Sequence, residues 1–243
     1  MCRWAGTRAV TISSLLGLLF TSATTVYVLL QRDVTTTLQP KKPRFSMIRS
    51  FVLADFITLG NAAAGTSAIL ACMAHLASGG RAYVWAALVL LPVALICDVL
   101  DGTVARWRHR HSHLGADLDS LADVVSFGVA PAVLGFTLGF RGGWDTAALL
   151  FFVACGISRL ARYNATADAL SAGRGKVAYY EGTPIPTSLA IVLVLGVAFG
   201  MDRTGDALWL GVIRLGPLDL HPLVLLYVLS GSAMISTIRI PKP

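Results

Sequence analysis

Long runs of apolar residues, separated by short polar or basic stretches, dominate the chain. The hydrocarbon core of a bilayer is about 30 Å thick, and a helix needs roughly 20 residues to cross it. The runs lack the alternation and closely spaced turns of membrane strands, so they predict helices. The pattern therefore predicts an all-α, polytopic membrane helical bundle. The apolar runs lie at residues 12–30, 52–76, 83–104, 118–140, 144–163, 185–201 and 220–238.

The first apolar run differs from the others. It follows Arg3 and Arg8, contains Thr and Ser, and is followed by a basic linker at residues 41–44. A signal peptide, a seventh span and an interfacial helix all fit such a segment. A clear small-residue cleavage site is missing before the linker, so we favour a membrane anchor. We therefore divide the chain into an N-terminal hydrophobic segment with its basic linker, residues 1–49, and a six-helix membrane domain, residues 50–243.

Composition supports the membrane assignment. Hydrophobic residues make up 55% of the 243 residues and charged residues 14%, with a mean hydropathy of +0.69. Soluble domains carry about 25% charged residues, so a soluble fold and a disordered chain are both excluded. The formal net charge of +7 fits a chain whose Lys and Arg set membrane topology better than one that binds nucleic acid.

The basic residues are distributed unevenly between alternate connecting segments. One set of segments contains fourteen Lys and Arg residues, and the opposite set contains four. The positive-inside rule places the first set in the cytosol, together with both ends of the six-helix core. The cytosolic set comprises Arg32, Lys41, Lys42, Arg44, Arg49, Arg106, Arg108, Arg110, Arg159, Arg162, Arg174, Lys176, Arg239 and Lys242. The opposite set comprises Arg81, Arg141, Arg203 and Arg214.

Four aspartates stand at the cytosolic ends of two predicted helices. Isolated carboxylates near hydrocarbon cost several kcal/mol each, so these charges require partners. Asp98 and Asp101 are three residues apart, and Asp119 and Asp123 four, so each pair occupies one face of its helix. Two facing helices would bring all four carboxylates together.

Four converging carboxylates repel one another unless cations neutralise them. Their hard oxygen ligands suit Mg²⁺ or Mn²⁺, and two divalent ions would balance four negative charges. The alternative is four separate helix-end acids paired with Arg106, Arg108 and Arg110. On the helix of the first pair, Gly102 and Ala105 leave room for a substrate, and Arg106 supplies a bidentate phosphate contact. Gly115 opens the second acidic helix, and these small residues also suit helix packing.

The same residues form a signature. Asp98-x-x-Asp101-Gly102-x-x-Ala105-Arg106 is followed after eight residues by Gly115, and then by Asp119 and Asp123 at intervals of three intervening residues. This pattern resembles, over its whole length, the motif of the CDP-alcohol phosphotransferase family. The resemblance implies a six-helix, usually homodimeric membrane enzyme whose acids hold two divalent ions on the pyrophosphate of a CDP-linked substrate. An acceptor hydroxyl would then displace CMP.

Other segments narrow the resemblance. Residues 119–132, 159–164 and 180–186 resemble the phosphatidylserine synthases of this family, and residues 54–58 and 221–243 resemble the fungal type in particular. This likeness implies CDP-diacylglycerol and L-serine as substrates. It favours the endoplasmic reticulum membrane over a bacterial inner membrane.

The resemblance also implies roles for individual residues. Asp98 and Asp119 would bridge both ions, Asp101 and Asp123 would each contact one, and Asp123 would act as general base for the serine hydroxyl. Serine would be bound by Arg159, Arg162 and Asn164, although such arginines also serve topology by reaching the headgroups. The expected contacts of CDP-diacylglycerol are Asp55, Thr58, Gly102, Ala105, Arg106, Ser112 and Gly115.

Two alternatives remain at this stage. Another acceptor alcohol, such as inositol or glycerol phosphate, would use the same chemistry. A cation channel or transporter would instead line its pathway with the intramembrane acids. The release of CMP distinguishes the enzyme from the channel, and the alcohol that drives it identifies the acceptor.

Overall fold

The computed structural model describes residues 53–108, 113–171, 179–236 and 239–241, and helices account for most of them. A π-helical segment, Val124–Val129, joins the third helix to the fourth without a break. The helices are α1 (Leu53–Ser78), α2 (Arg81–Arg108), α3 (His113–Asp123), α4 (Ala130–Leu138), α5 (Gly143–Ser171), α6 (Leu189–Gly200) and α7 (Leu225–Ile235). The predicted helical bundle is confirmed. The expected N-terminal anchor lies outside the described residues.

Four helical stretches are long and apolar enough to cross a bilayer. They are Ala54–Ser78, Arg81–Val104, Gly115–Leu138 and Gly143–Thr166, and the third of them combines α3, the π segment and α4. Many apolar side chains on these stretches face outward, as lipid contact requires. Within the described residues the chain is therefore built as an integral membrane protein.

The last two predicted spans form shorter apolar helices, Ile185–Gly200 and Pro222–Ile235. Each begins with a 3₁₀ turn that has proline in its first positions, Ile185–Ser188 before α6 and Pro222–Val224 before α7. The first N–H groups of a helix have no partner within the helix, so proline, which lacks a backbone N–H, is tolerated in the first turn. Both prolines therefore mark the start of a helix.

Two small antiparallel strand pairs were not expected from the apolar pattern. Strand β1 (Tyr179–Glu181) pairs with β4 (Arg239–Pro241), and β2 (Ile213–Leu215) pairs with β3 (Leu218–Leu220). The predicted seventh apolar run therefore starts in a strand, since Leu220 is the last residue of β3.

Helices α1 and α2 form an antiparallel hairpin. The turn between them uses Gly79 at φ 71°, and the amide of Gly79 donates to the carbonyl of His75 at 2.8 Å. A glycine with positive φ after the last helical turn is the usual way to end a helix. The hairpin buries small side chains that let the two backbones approach: Ala64, Ala68 and Cys72 from α1, and Ala87 and Ala94 from α2.

The third span packs equally closely against α1, at the π segment. A Cβ added to Gly65 would lie 2.7 Å from the Cα of Ser126, so only glycine fits there. The hydroxyl of Ser126 donates to the backbone carbonyl of Asn61 at 3.0 Å. This contact fixes the height at which the third span meets α1, one turn beyond Asp123.

Aromatic packing fixes the last helix. Tyr227 of α7 is fully buried, packs edge-to-face on Phe140 and Phe152, and donates its hydroxyl hydrogen to the carbonyl of Pro131 at 2.6 Å. A buried phenol needs such an acceptor. The core therefore ties α7 to α4 and α5.

Candidate active site

Three carboxylates converge at the end of the bundle where α2 approaches the start of the third span. One oxygen each from Asp98, Asp119 and Asp123 lies within 4.8 Å of the other two. The spacing within each helix explains the arrangement, because residues four apart occupy one face. The sequence-predicted convergence of two acidic helices is thus present in these three residues.

Asp101 lies beside this trio and is held from α1. The Thr58 hydroxyl donates to Asp101 Oδ2 at 2.6 Å, and both residues are about 95% buried. A hydrogen bond to a charged acceptor is about twice as strong as a neutral one. Thr58 therefore orients a carboxylate of the site, in addition to the substrate contact expected of it.

Asn61 is a site residue that the sequence reasoning missed. It is fully buried on α1, one turn after Thr58, and its side-chain nitrogen donates to Asp123 Oδ1 at 3.2 Å. The available signal was a polar pair, Thr58 and Asn61, at helical spacing inside an apolar run. The first helix therefore supplies one donor to each acidic pair.

The electrostatics of the site call for a cation. Asp98, Asp101, Asp119 and Asp123 are close enough for their charges to repel one another. Among the described residues, the buried Oδ1 of Asp119 has no hydrogen-bond donor. Ligand oxygens on opposite sides of one Mg²⁺ are about 4.2 Å apart, given bonds of 2.0–2.1 Å. The trio, with its oxygens within 4.8 Å of one another, therefore needs only to draw closer together to hold a divalent ion.

The structure describes some of the residues that are expected to contact CDP-diacylglycerol. Asp55 is 95% buried near Asp101, with whose charge it interacts. Apart from the neighbouring residues and backbone of α2 itself, no described atom lies within 4 Å of a Cβ built on Gly102, as the expected ligand contact requires. Gly115 is half-buried in the first turn of α3.

Other expectations reach beyond the described residues. Ala105 and Arg106 belong to the last turns of α2. The roles expected of their side chains, the expected contact of Ser112, and the alternative pairing of the acids with arginines all lie outside the described part of the chain. These expectations stay predictions.

The three residues expected to bind serine have different surroundings on α5. Arg159 is half-buried, interacts with the charge of Asp123, and has a buried Nε without an acceptor among the described residues. Arg162 is exposed. The side-chain amide of Asn164 donates to the hydroxyl of Ser120 at 3.0 Å, next to Asp119 in sequence. Arg159 and Asn164 thus lie beside the acidic trio.

Fold and site together define a class: an integral membrane protein of apolar helices with a buried carboxylate cluster at one end. The family model for CDP-alcohol phosphatidyltransferases matches residues 51–220. The chain belongs to this family, and the resemblance predicted from the motif is confirmed.

Individual relatives are similar over most of the chain. A CDP-diacylglycerol–serine O-phosphatidyltransferase of Saccharomyces cerevisiae is 42% identical over 203 residues, which cover 82% of this chain and 74% of the relative. One of the same name from Methanocaldococcus jannaschii is 32% identical over 82% of this chain and 78% of the relative. Another from Mycobacterium bovis is 34% identical over 66% of this chain and 54% of the relative.

Proposed function

We propose that this chain transfers the phosphatidyl group of CDP-diacylglycerol to the hydroxyl of L-serine, giving phosphatidylserine and CMP. The observation that carries the proposal is the convergence of Asp98, Asp119 and Asp123 at one end of helices long enough to span a membrane. A lipid-linked substrate can enter such a site from the bilayer while serine arrives from water. Similarity to relatives named for this reaction supports serine as the acceptor.

The proposed cofactors are two divalent ions held by Asp98, Asp101, Asp119 and Asp123. When bound, Mg²⁺ or Mn²⁺ would polarise the phosphoryl oxygens and stabilise the negative charge of the departing CMP. The chain's own part is to hold the carboxylates in place against their mutual repulsion. The hydrogen bond from Thr58 orients Asp101.

Asp123 is the proposed general base for the serine hydroxyl. Its side chain is 92% buried, and Asn61 fixes the direction of one carboxylate oxygen. A base must lie within hydrogen-bond reach of the proton that it accepts, so this orientation matters as much as basicity. The proton would pass from the serine oxygen to Asp123 as that oxygen bonds to phosphorus.

The proposed serine site uses the cationic face of α5. The planar guanidinium group of an arginine matches a carboxylate with two parallel hydrogen bonds. Arg159 and Arg162, about one helical turn apart, are the candidates for this contact. The Nε of Arg159 is buried and has no acceptor among the described residues, which supports a substrate carboxylate as its partner. Asn164 would contribute an amide beside Ser120.

The setting of the reaction is a further part of the proposal. The excess of Lys and Arg on one set of segments favours a cytosolic active site. The likeness of the C-terminal residues to the fungal type favours the endoplasmic reticulum membrane, and the family resemblance favours a homodimer. Fluorescence microscopy of a tagged chain and light scattering of the detergent-solubilised protein test these two points.

One assay tests the reaction itself. Purified full-length protein is incubated with CDP-diacylglycerol, a divalent metal, and L-serine, inositol or glycerol 3-phosphate, and CMP and lipid products are measured by mass spectrometry. We expect CMP and phosphatidylserine with serine, and neither product with chelator. CMP release driven by another alcohol and not by serine would identify that alcohol as the acceptor. Metal flux into vesicles without CMP release would show that the protein is a channel and not an enzyme.

A further inference from the structure

A polar cavity of about 580 Å³ lies at the end of the bundle opposite the acidic trio. Its walls come from the last turns of α1, α4 and α6, the start of α2, and the segments on either side of β2 and β3. His75 and Arg81 line it, whereas Thr58 and Asp101 belong to the acidic end of the same two helices. Seventeen to twenty helical residues separate the two ends, about 25 to 30 Å. The cavity is therefore separate from the candidate active site.

His221, which lines the cavity, belongs to a buried Asp–His pair. Asp145 is fully buried and accepts from the His221 ring Nδ1 at 2.6 Å, from the His221 backbone amide at 2.8 Å, and from the amide of Gly142 at 3.0 Å. A carboxylate only accepts hydrogen bonds, so Nδ1 carries the hydrogen of this contact. In the neutral ring Nε2 is then left as an acceptor.

That acceptor has no partner among the described residues. His221 is 96% buried, its Nε2 makes no hydrogen bond there, and the residue lines the cavity. Buried polar atoms are rarely left unpaired, and such an exception calls for an explanation. A ligand bound in the cavity that donates a hydrogen bond to His221 Nε2 provides that explanation.

The cavity contains charges of both signs. Arg81 and Arg141 supply cations, and Asp206 and Asp219 supply carboxylates. Arg81 forms an ion pair with Asp202, and the guanidinium of Arg141 donates to carbonyls at the end of α4. A ligand with only one sign of charge would meet like charge in the cavity. A zwitterion offers each sign a partner.

We propose that this cavity binds the headgroup of a phospholipid with a primary ammonium group. The ammonium has three N–H donors, for which His221 Nε2, Asp206 and Asp219 are acceptors, and the phosphate faces Arg81 and Arg141. The ends of membrane-spanning helices lie at the depth of lipid headgroups, which makes a lipid the natural source of this chemistry. A quaternary ammonium has no N–H to donate, so the site discriminates between headgroups.

The test is a binding titration on the purified full chain in detergent. The probes are short-chain phosphatidylethanolamine, phosphatidylcholine and phosphatidylglycerol with identical acyl chains, and glycerophosphoethanolamine as the headgroup without acyl chains. We expect saturable binding of phosphatidylethanolamine, with both other lipids and the soluble headgroup at least tenfold weaker. Equal binding of phosphatidylcholine or phosphatidylglycerol would overturn the ammonium assignment. Equal binding of glycerophosphoethanolamine would overturn the lipid assignment.

Variants locate the binding. Asp206→Asn and His221→Gln should each weaken phosphatidylethanolamine binding at least tenfold, while the matched variant Arg203→Gln, at the same end but outside the cavity lining, should not. Asp206 lies on a short surface segment and carries the test if His221→Gln does not fold. Binding that persists in Asp206→Asn, or that disappears in Asp98→Asn at the acidic end, would overturn the proposal.

Discussion

Asn61 and Asp123 meet between two helices that are far apart in sequence, with the asparagine amide donating to the carboxylate at 3.2 Å. The amide is fully buried, so it cannot turn to water for another partner. A site in which carboxylates repel one another needs such donors to keep each side chain in one orientation. The contact makes α1, which carries none of the motif aspartates, a supporting element of the site.

The first prediction concerns this contact. Asn61→Leu keeps the branched shape of the side chain but removes the donor, so we expect turnover to fall about tenfold, roughly 1.4 kcal/mol in activation free energy. Binding of Mn²⁺, followed by electron paramagnetic resonance, should weaken in parallel. The matched control is Ser126→Ala, which removes the bond to the Asn61 backbone and leaves the carboxylate contact. An Asn61→Leu enzyme as active as this control would contradict the positioning role.

The second prediction concerns the carboxylates. Asp98→Asn and Asp119→Asn should each abolish CMP formation and Mn²⁺ binding, because each removes one negative ligand oxygen. Membrane insertion should persist, since neutral side chains are buried at lower cost than charged ones. Asp117→Asn is the control, because Asp117 is exposed on the same helix and outside the trio. Normal activity in either cluster variant would exclude the metal site.

Much of this arrangement follows from sequence. The carboxylate spacing on one face of each helix predicts their convergence, because helical periodicity is local information. Asn61 was not predicted, since its partner is 62 residues away and only tertiary packing selects it. The short strand pairs were missed for a related reason: three-residue strands carry too few side chains to show an alternating pattern.

The third prediction tests the serine site. Arg162→Lys keeps the charge but loses the planar fork, so the serine KM should rise ten- to a hundredfold, about 1.4 to 2.8 kcal/mol, if Arg162 binds the serine carboxylate. The KM for CDP-diacylglycerol should change much less. Arg159→Lys is the comparison, since Arg159 lies nearer the charge of Asp123. A serine KM that rises only in Arg159→Lys would assign the carboxylate to Arg159, and equal rises in both constants would indicate a phosphate contact.

The fourth prediction concerns topology. In a cysteine-free background, Arg110→Cys should react with an impermeant thiol reagent from the cytosolic side and Arg203→Cys from the opposite side, as the charge bias requires. Sealed and permeabilised vesicles separate the two cases. Reversed labelling would place the acidic trio on the non-cytosolic side.

The fifth prediction concerns packing between α1 and the third span. Gly65→Ala would press a methyl group against the Ser126 backbone, so we expect a loss of about 1–3 kcal/mol in stability and a lower temperature of thermal inactivation. Gly60→Ala is the control on the same helix, because its new Cβ would lie 3.8 Å from Cys97 Sγ, an ordinary contact. Equal thermal inactivation of the two variants would show that the helices can separate without cost.

The π segment has a consequence for how this chain tolerates insertions and deletions. Each residue of an α-helix advances the direction of the side chains by about 100°, and Val124–Val129 accommodates one residue more than regular winding would. Deleting a single residue there would give a continuous α-helix and leave Asp119 and Asp123 in nearly the same direction relative to Thr137 and Leu138, whereas the same deletion elsewhere in the span would rotate them by about 100°. The acids and the cavity lie at opposite ends of this one span. A change in its winding would therefore alter the direction of the side chains at one end relative to those at the other.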